Sequence, residues 1–260
     1  MMAHVDLCSG IGGFALGFQW AGLSKPVLFC DIEPWSRKVL AKHWPDVPIA
    51  EDVKELANDP DGNVPDCDIL TAGYPCQPFS HAGKRLGHED DRHIWPYILQ
   101  IVAQKRPAWC CFENVYGHVS MGLDQVLLDL ETQGYASRTF IVPACGVDAA
   151  HLRFRAFVIS HTDSQRGRSR NTQRQDAADV GQPSRHPRDN TRGMENWLPE
   201  PSICGMADGI PRWLDEPRDT PRTVKGVKGR ADRLKGLGNA IVPQIAMKIG
   251  EAIKQSEAEL

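Results

Sequence analysis

Three short stretches carry side chains that could act together on a substrate. Residues 73–80 read G-Y-P-C-Q-P-F-S and set Cys76 between two prolines. Proline fixes its own φ and restrains its predecessor, so this thiol sits on a stiff turn where it can be partly exposed. A cysteine attacks as the thiolate, and no base adjoins Cys76 in sequence; alone, the stretch reads as a structural turn. Residues 112–115, F-E-N-V, put Glu113 at the end of an apolar run. Taken singly, that is a solvated strand-end carboxylate. In H-L-R-F-R, residues 151–155, Arg153 and Arg155 alternate as strand residues that share one face. Two guanidiniums on one face call for an anionic or polar ligand, or else for an ion pair with Asp or Glu.

A fourth stretch suits binding rather than bond-making. Residues 6–17 read D-L-C-S-G-I-G-G-F-A-L-G, in which Gly10, Gly12 and Ala15 fit the turn G-x-G-x-x-G/A. Asp31 follows about twenty residues on, at the end of the next apolar run, where a carboxylate can accept from ribose hydroxyls. The glycine turn alone is a weak signal. With its acidic partner and a strand–loop–helix setting it becomes a nucleotide-cofactor site, without separating a nicotinamide from an S-adenosyl cofactor.

These residues need a frame. Apolar runs at 5–8, 27–30, 68–72, 108–112 and 154–160 read as buried strands, and 14–21, 34–43, 93–105 and 121–132 carry helical spacing. Alternation of the two predicts an α/β fold, a mostly parallel sheet with helices on both faces. Residues 135–142 read as an antiparallel strand near one edge, and 241–253 as a closing helix. Cys76 and Glu113 then both leave strands at their C-terminal ends, the rim at which open α/β sheets bind ligands.

With 260 residues, 41% apolar and 24% charged, the chain can bury a full core and is not compositionally disordered. Its net charge of −3 hides a segregation: residues 161–240 hold 15 basic against 11 acidic side chains, nine glycines, seven prolines and two aromatics. That stretch reads either as a solvated linker or as a basic surface for phosphates. No apolar run approaches a membrane span, and the opening M-M-A-H-V-D-L-C lacks a secretory pattern, so a cytoplasmic location is expected. The eight cysteines show no metal-ligand spacing and are expected to be reduced, several as small buried hydrophobes; no metal is expected.

In chain order, D-L-C-S-G-I-G-G, P-C-Q-P-F-S, E-N-V, H-L-R-F-R and G-N-A-I-V-P resemble the motifs of DNA (cytosine-5) methyltransferases over residues 3–160 and about 234–255. Each motif is weak; the ordered set is highly specific. The resemblance implies a Rossmann-like methyltransferase fold using S-adenosyl-L-methionine. Its catalytic domain would span 1–160 and 234–260, and a small loop-rich target recognition region 161–233, anchored by W-L-P-E-P-S at 197–202. Cys76 would be the nucleophile and Glu113 the partner of N3 and the exocyclic amine, with Arg155 on O2 and Arg153 alongside. The cofactor would be held by Gly10, Ile11, Gly13, Asp31, Ile32, Asp52, Val53, Gly73, Pro75, Asn239 and Ala240. Residues 81–92 resemble a loop closing over DNA, whose contacts would include Ser80, Lys84, Arg85, Arg92 and Asn114. The sequence departs from the family pattern at Cys8, where an aromatic residue is common, at His151, at 93–96 and at 230–237.

The expected partner is double-stranded DNA, read by a monomer of bacterial or phage origin, with a restriction endonuclease acting independently beside it. Three other readings compete with this one. A tRNA-methylating relative shares the catalytic motifs, but its C-F-T tripeptide is absent here. A decayed DNA or cofactor binder would not need Cys76, Glu113 and Arg155 together. A nicotinamide oxidoreductase rests on the glycine turn alone and accounts for neither Cys76 nor Glu113.

Overall fold

The computed structural model describes residues 1–75, 94–120, 122–147, 152–162 and 230–259, all within one compact unit. The first half alternates as expected: β1 (Met2–Leu7), α1 (Gly13–Trp20), β2 (Ser24–Cys30), α2 (Pro34–His43), β3 (Ile49–Ala50), α3 (Val53–Asn58), α4 (Pro60–Asn63) and β4 (Ile69–Ala72). Then come α5 (Trp95–Lys105), β5 (Trp109–Val115), α6 (Leu123–Thr132), β6 (Ala136–Pro143), β7 (Phe154–His161), α7 (Arg230–Asn239) and α8 (Pro243–Glu259).

The seven strands lie in the order β3-β2-β1-β4-β5-β7-β6. The first five are mutually parallel. β7 runs antiparallel to both of its neighbours, β5 and β6. The sequence reading thus placed an antiparallel pairing at the correct edge but reversed the wrong strand. β6 arrives through the α6 crossover and keeps the sheet's direction. The link from β6 to β7 is too short for another crossover, so β7 must turn back.

Strand alternation divides the core between the two faces. Cys110 and Phe112 of β5 join a buried cluster with Ile98, Ile101 and Val102 of α5 and Val126 and Leu130 of α6. Trp109 and Cys111, one residue out of phase, face Phe14 and Phe18 of α1 and Ile245 and Ile249 of α8. Full burial of each phenylalanine contributes about 1.5–3 kcal/mol. α1 and α8 meet at backbone distance: a Cβ on Gly17 would lie 2.3 Å from the Pro243 carbonyl, and one on Gly13 2.5 Å from that of Ile241. Those glycines seat the C-terminal helix on the N-terminal one. Beneath α1, Thr71 donates to Asp6 (2.6 Å) and accepts from His4 Nε2 (2.8 Å), all three fully or almost fully buried. Burial pushes Asp6 up to about 7 and His4 down to about 3.

Candidate active site

A cleft of about 860 Å³ opens at the C-terminal rim of the parallel strands. At one end lie Cys8, Gly10, Asp31, Ile32, Asp52 and Val53; at the other lie Gly73, Pro75, Glu113, Asn114, Arg153 and Arg155, with Asn239 also in the wall. Most of the side chains singled out from sequence and described here therefore share one cavity. Ile11, Gly13 and Ala240 are not in its lining. Gly13 packs on Ile241 instead, and the Ala240 carbonyl accepts from Arg153.

Main-chain geometry builds the first end. The turn after β1 passes through left-handed φ values at Cys8 (50°), Gly10 (55°) and Gly12 (84°). Only glycine adopts these freely, so the thiol at Cys8 carries the strain of the turn. Ser9 exchanges hydrogen bonds with the Cys30 backbone, tying the turn to β2. Asp31, 8% exposed, accepts from the amides of Gly10 (2.7 Å) and Glu33 (2.9 Å). Burial raises its carboxyl and those two amides oppose the rise. Asp52 caps α3 by accepting from the Lys54 amide at 2.9 Å. Ile32 leaves an apolar side chain 65% exposed in the same wall.

Charge builds the second end. Glu113 and Arg155 stand diagonally across the β5–β7 register, in which Glu113 opposes Phe157 and Val115 opposes Arg155. Both point to one face, and Arg155 Nε meets Glu113 Oε1 at 2.9 Å with side chains 20% and 9% exposed. Burial pushes Glu113 up to about 7, against the downward pull of Arg155 and then Arg153. Gly73 leaves room between the ends: a Cβ there would sit 3.2 Å from Ile241 Cδ1 and 3.7 Å from Glu113 Oε2. Asn114, on the opposite face of β5, donates to the Tyr74 carbonyl at 3.2 Å.

Arg153 does not share a strand face with Arg155. It precedes β7, with φ of 32°, and its guanidinium donates to the carbonyls of Gly238 (2.7 Å) and Ala240 (2.8 Å). Alternation holds only inside a strand, and β7 begins at Phe154. Cys76, Ser80, Lys84, Arg85 and Arg92, with the stretch 163–229, lie outside the described residues. Of the described cysteines, Cys30, Cys67, Cys110 and Cys111 are buried and burial raises each thiol, which disfavours the thiolate a nucleophile needs.

Among the members of the wall that the sequence reading did not single out are Trp35 and Lys235. Trp35 lies one position after the proline that opens α2, and its ring packs where a Cβ on Gly236 would come within 2.3 Å. Lys235 of α7 pairs with Glu33 at 2.5 Å. An aromatic residue straight after the acidic strand end was a usable signal for Trp35. Lys235 had none, because α7 lacks apolar periodicity.

A mostly parallel α/β sheet thus carries a glycine turn, an acidic strand end and a buried carboxylate–guanidinium pair at one rim, the edge at which open α/β sheets bind ligands. Residues 2–196 match the model of the C-5 cytosine-specific DNA methylase family, well over half of the chain, and the protein belongs to that family. Among its relatives, the Type II methyltransferase M2.BsuMI of Bacillus subtilis (strain 168) is 35% identical over 119 residues, 44% of this chain and 29% of that protein. M.NgoBI of Neisseria gonorrhoeae is 33% identical over 169 residues, 63% of this chain and 52% of that protein. The chain thus spans about half or less of the length of these relatives. The crystal structure of the S. pombe Dnmt2 methyltransferase superposes with a TM-score of 0.56 at 23% identity, covering 63% of this chain and 51% of that one. That likeness shows the fold alone.

Proposed function

We propose that the chain transfers a methyl group from S-adenosyl-L-methionine to C5 of cytosine within a specific sequence of duplex DNA. The observation that carries this reading is the buried Glu113–Arg155 pair at one end of a cleft whose other end is the Gly10–Asp31 turn.

The residues present suit the cofactor. Each Asp31 oxygen accepts one amide and keeps a second lone pair for a ribose hydroxyl. The exposed Ile32 and the buried Val53 offer apolar surface for an adenine, beside the carboxylate of Asp52. Gly73 and Pro75 carry the wall toward Glu113. Bound there, S-adenosyl-L-methionine supplies a methyl group on a cationic sulfonium.

The target carbon is a weak nucleophile until the ring is activated. Cys76, next in the chain after Pro75, would add as thiolate to C6 and make C5 electron-rich. A carboxyl that titrates near 7 still holds a proton close to neutrality, so Glu113 can donate to N3 while its other oxygen accepts from the exocyclic amine. Arg155 would donate to O2. Loss of the C5 proton to water, followed by elimination, frees Cys76. C6 is shielded inside a stacked duplex, so the base must be swung out, with Ser80, Lys84, Arg85, Arg92 and Asn114 on the DNA and 161–233 reading its sequence. The relatives' names class them as Type II methyltransferases, and the same role beside an independent restriction endonuclease is proposed here.

Duplex DNA carrying 5-fluorocytosine tests the chemistry, because fluorine cannot leave as a proton. The wild-type protein is expected to form a covalent adduct. Cys76→Ser is expected to form none and to lose turnover while still binding S-adenosylhomocysteine. An active protein that cannot be trapped overturns the covalent route. Methylation of tRNA but not of duplex DNA overturns the substrate.

A further inference from the structure

Arg153 stands in the cleft wall close to Glu113 and Arg155, yet its contacts point elsewhere. The two ends of its fork donate to the carbonyls of Gly238 and Ala240, at 2.7 and 2.8 Å. Those carbonyls bracket Asn239, which lines the cleft. Gly238 belongs to the last turn of α7, where helical carbonyls lack intrahelical partners and a cation is favoured. The same segment is gripped from the other side. The Ile241 carbonyl would lie 2.5 Å from a Cβ on Gly13, and Ile241 Cδ1 lies 3.2 Å from the corresponding point on Gly73. Residues 238–241 are therefore held between the start of α1, the exit of β4 and the Arg153 guanidinium. Only two residues along the chain, Arg155 pairs with Glu113.

We infer that Arg153 is a positioning residue, a two-pronged clamp that fixes the backbone around Asn239 and so shapes the methyl-donor end of the cleft. This rests on the proposed reading of that end as an S-adenosyl-L-methionine site. The clamp gives the cofactor wall and the target-side pair a common anchor, the short run from Arg153 to Arg155. A planar fork suits the clamp, because its two nitrogens meet the two carbonyls in a fixed geometry, whereas a lysine ammonium must reach both from a single nitrogen on a flexible stem.

A split between binding and turnover tests the assignment. Arg153→Lys is expected to weaken S-adenosylhomocysteine binding about tenfold by calorimetry, the cost of one charge-assisted hydrogen bond. KM for S-adenosyl-L-methionine should rise in step while kcat at saturating cofactor and DNA falls by no more than about threefold. Arg153→Met, which loses both bonds, should weaken cofactor binding further. A collapse of kcat with unchanged S-adenosylhomocysteine affinity overturns the inference, since Arg153 would then serve the target base. So does an Arg153→Lys protein without a cooperative melting transition, because a clamp on one wall leaves the sheet intact. A wild-type protein that fails to bind S-adenosylhomocysteine overturns the reading of the cleft and this inference with it. A wild type that binds, matched by an Arg153→Lys variant of equal affinity, overturns this inference alone.

Discussion

Two ion pairs stand at opposite ends of one cleft, and the shorter of them matters less. Lys235 and Glu33 meet at 2.5 Å with side chains 58% and 44% exposed. Arg155 and Glu113 meet at 2.9 Å with side chains 20% and 9% exposed. Water screens the first pair and competes for both partners, so its closeness carries little energy. The second pair has lost most of its water, and there each charge depends on the other. At the cofactor end the solvent-exposed pair is not the support of the buried carboxylate, Asp31, which backbone amides hold instead. At the target end, among the described residues, Glu113 is instead partnered by a side chain of the neighbouring strand, Arg155. Burial, rather than distance, separates the two pairs.

Removing a charge at the target end should have the larger consequence. Glu113→Gln keeps the shape and an N–H donor but takes away the transferable proton, and turnover is expected to fall about 10²- to 10³-fold, within the usual contribution of a positioned general acid. In the wild type, kcat should decline as pH rises through about 7, where Glu113 gives up its proton. Glu113→Gln should lack that limb. Stability carries the same signature. The folded carboxyl titrates near 7 and the unfolded one near 4.5, so between those values the folded state holds a proton that the unfolded state has released. Stability contributed in this way is lost as pH rises across that window, and denaturant melts of Glu113→Gln should show a flatter dependence. Asp6, also raised to about 7, adds a slope of the same sign in both proteins. A wild-type kcat independent of pH between 6 and 8 would break the contrast between the two ends.

A change at the cofactor end should act on binding instead. In Asp31→Asn one acceptor becomes an amide group that must face either the Gly10 or the Glu33 N–H, donor against donor. S-adenosylhomocysteine affinity is expected to drop about tenfold to a hundredfold, with kcat at saturation changed much less. Calorimetry beside steady-state kinetics checks both halves. A fall in kcat alone would mean that Asp31 serves the chemistry and that the ends are not divided as argued.

The contrast also explains what could be read from the sequence. The end proposed for the cofactor is local: a glycine turn, the next strand and the carboxylate that follows it lie within about thirty residues, and the strand, helix and strand that frame them form as expected. The short helices α3 and α4 were missed because six and four residues carry no periodicity. Their starts were nevertheless marked, by Asp52 three residues before Glu55 and by Asp59 directly before Pro60. The target end is non-local. Glu113 and Arg155 were both singled out, but their pairing depends on the register of β5 against a reversed β7. No periodicity encodes that reversal. The placement of Arg153 failed for a related reason, since its left-handed backbone takes it off the strand that alternation assumed. α7 was invisible because it is held by Trp35 against Gly236 and by Lys235 against Glu33, contacts about two hundred residues apart.

The smallest effect is expected where the distance is shortest. Lys235→Met removes one cation of the cleft wall and keeps the length of its stem. The pair it breaks is exposed on both sides, and Glu33 left alone stays 44% in contact with water, so no buried charge is stranded. KM for S-adenosyl-L-methionine should change by less than about twofold, and what change there is should vanish in high salt, where exposed charges are screened. Arg155→Met is the matching substitution at the other end and leaves Glu113 buried without its main partner. That carboxyl should then rise further and hold its proton to higher pH, which the pH–rate profile reads directly. If Lys235→Met proved as damaging as Arg155→Met, separation in ångströms would rank these pairs better than burial does, and the physical distinction between the two ends of the cleft would fail.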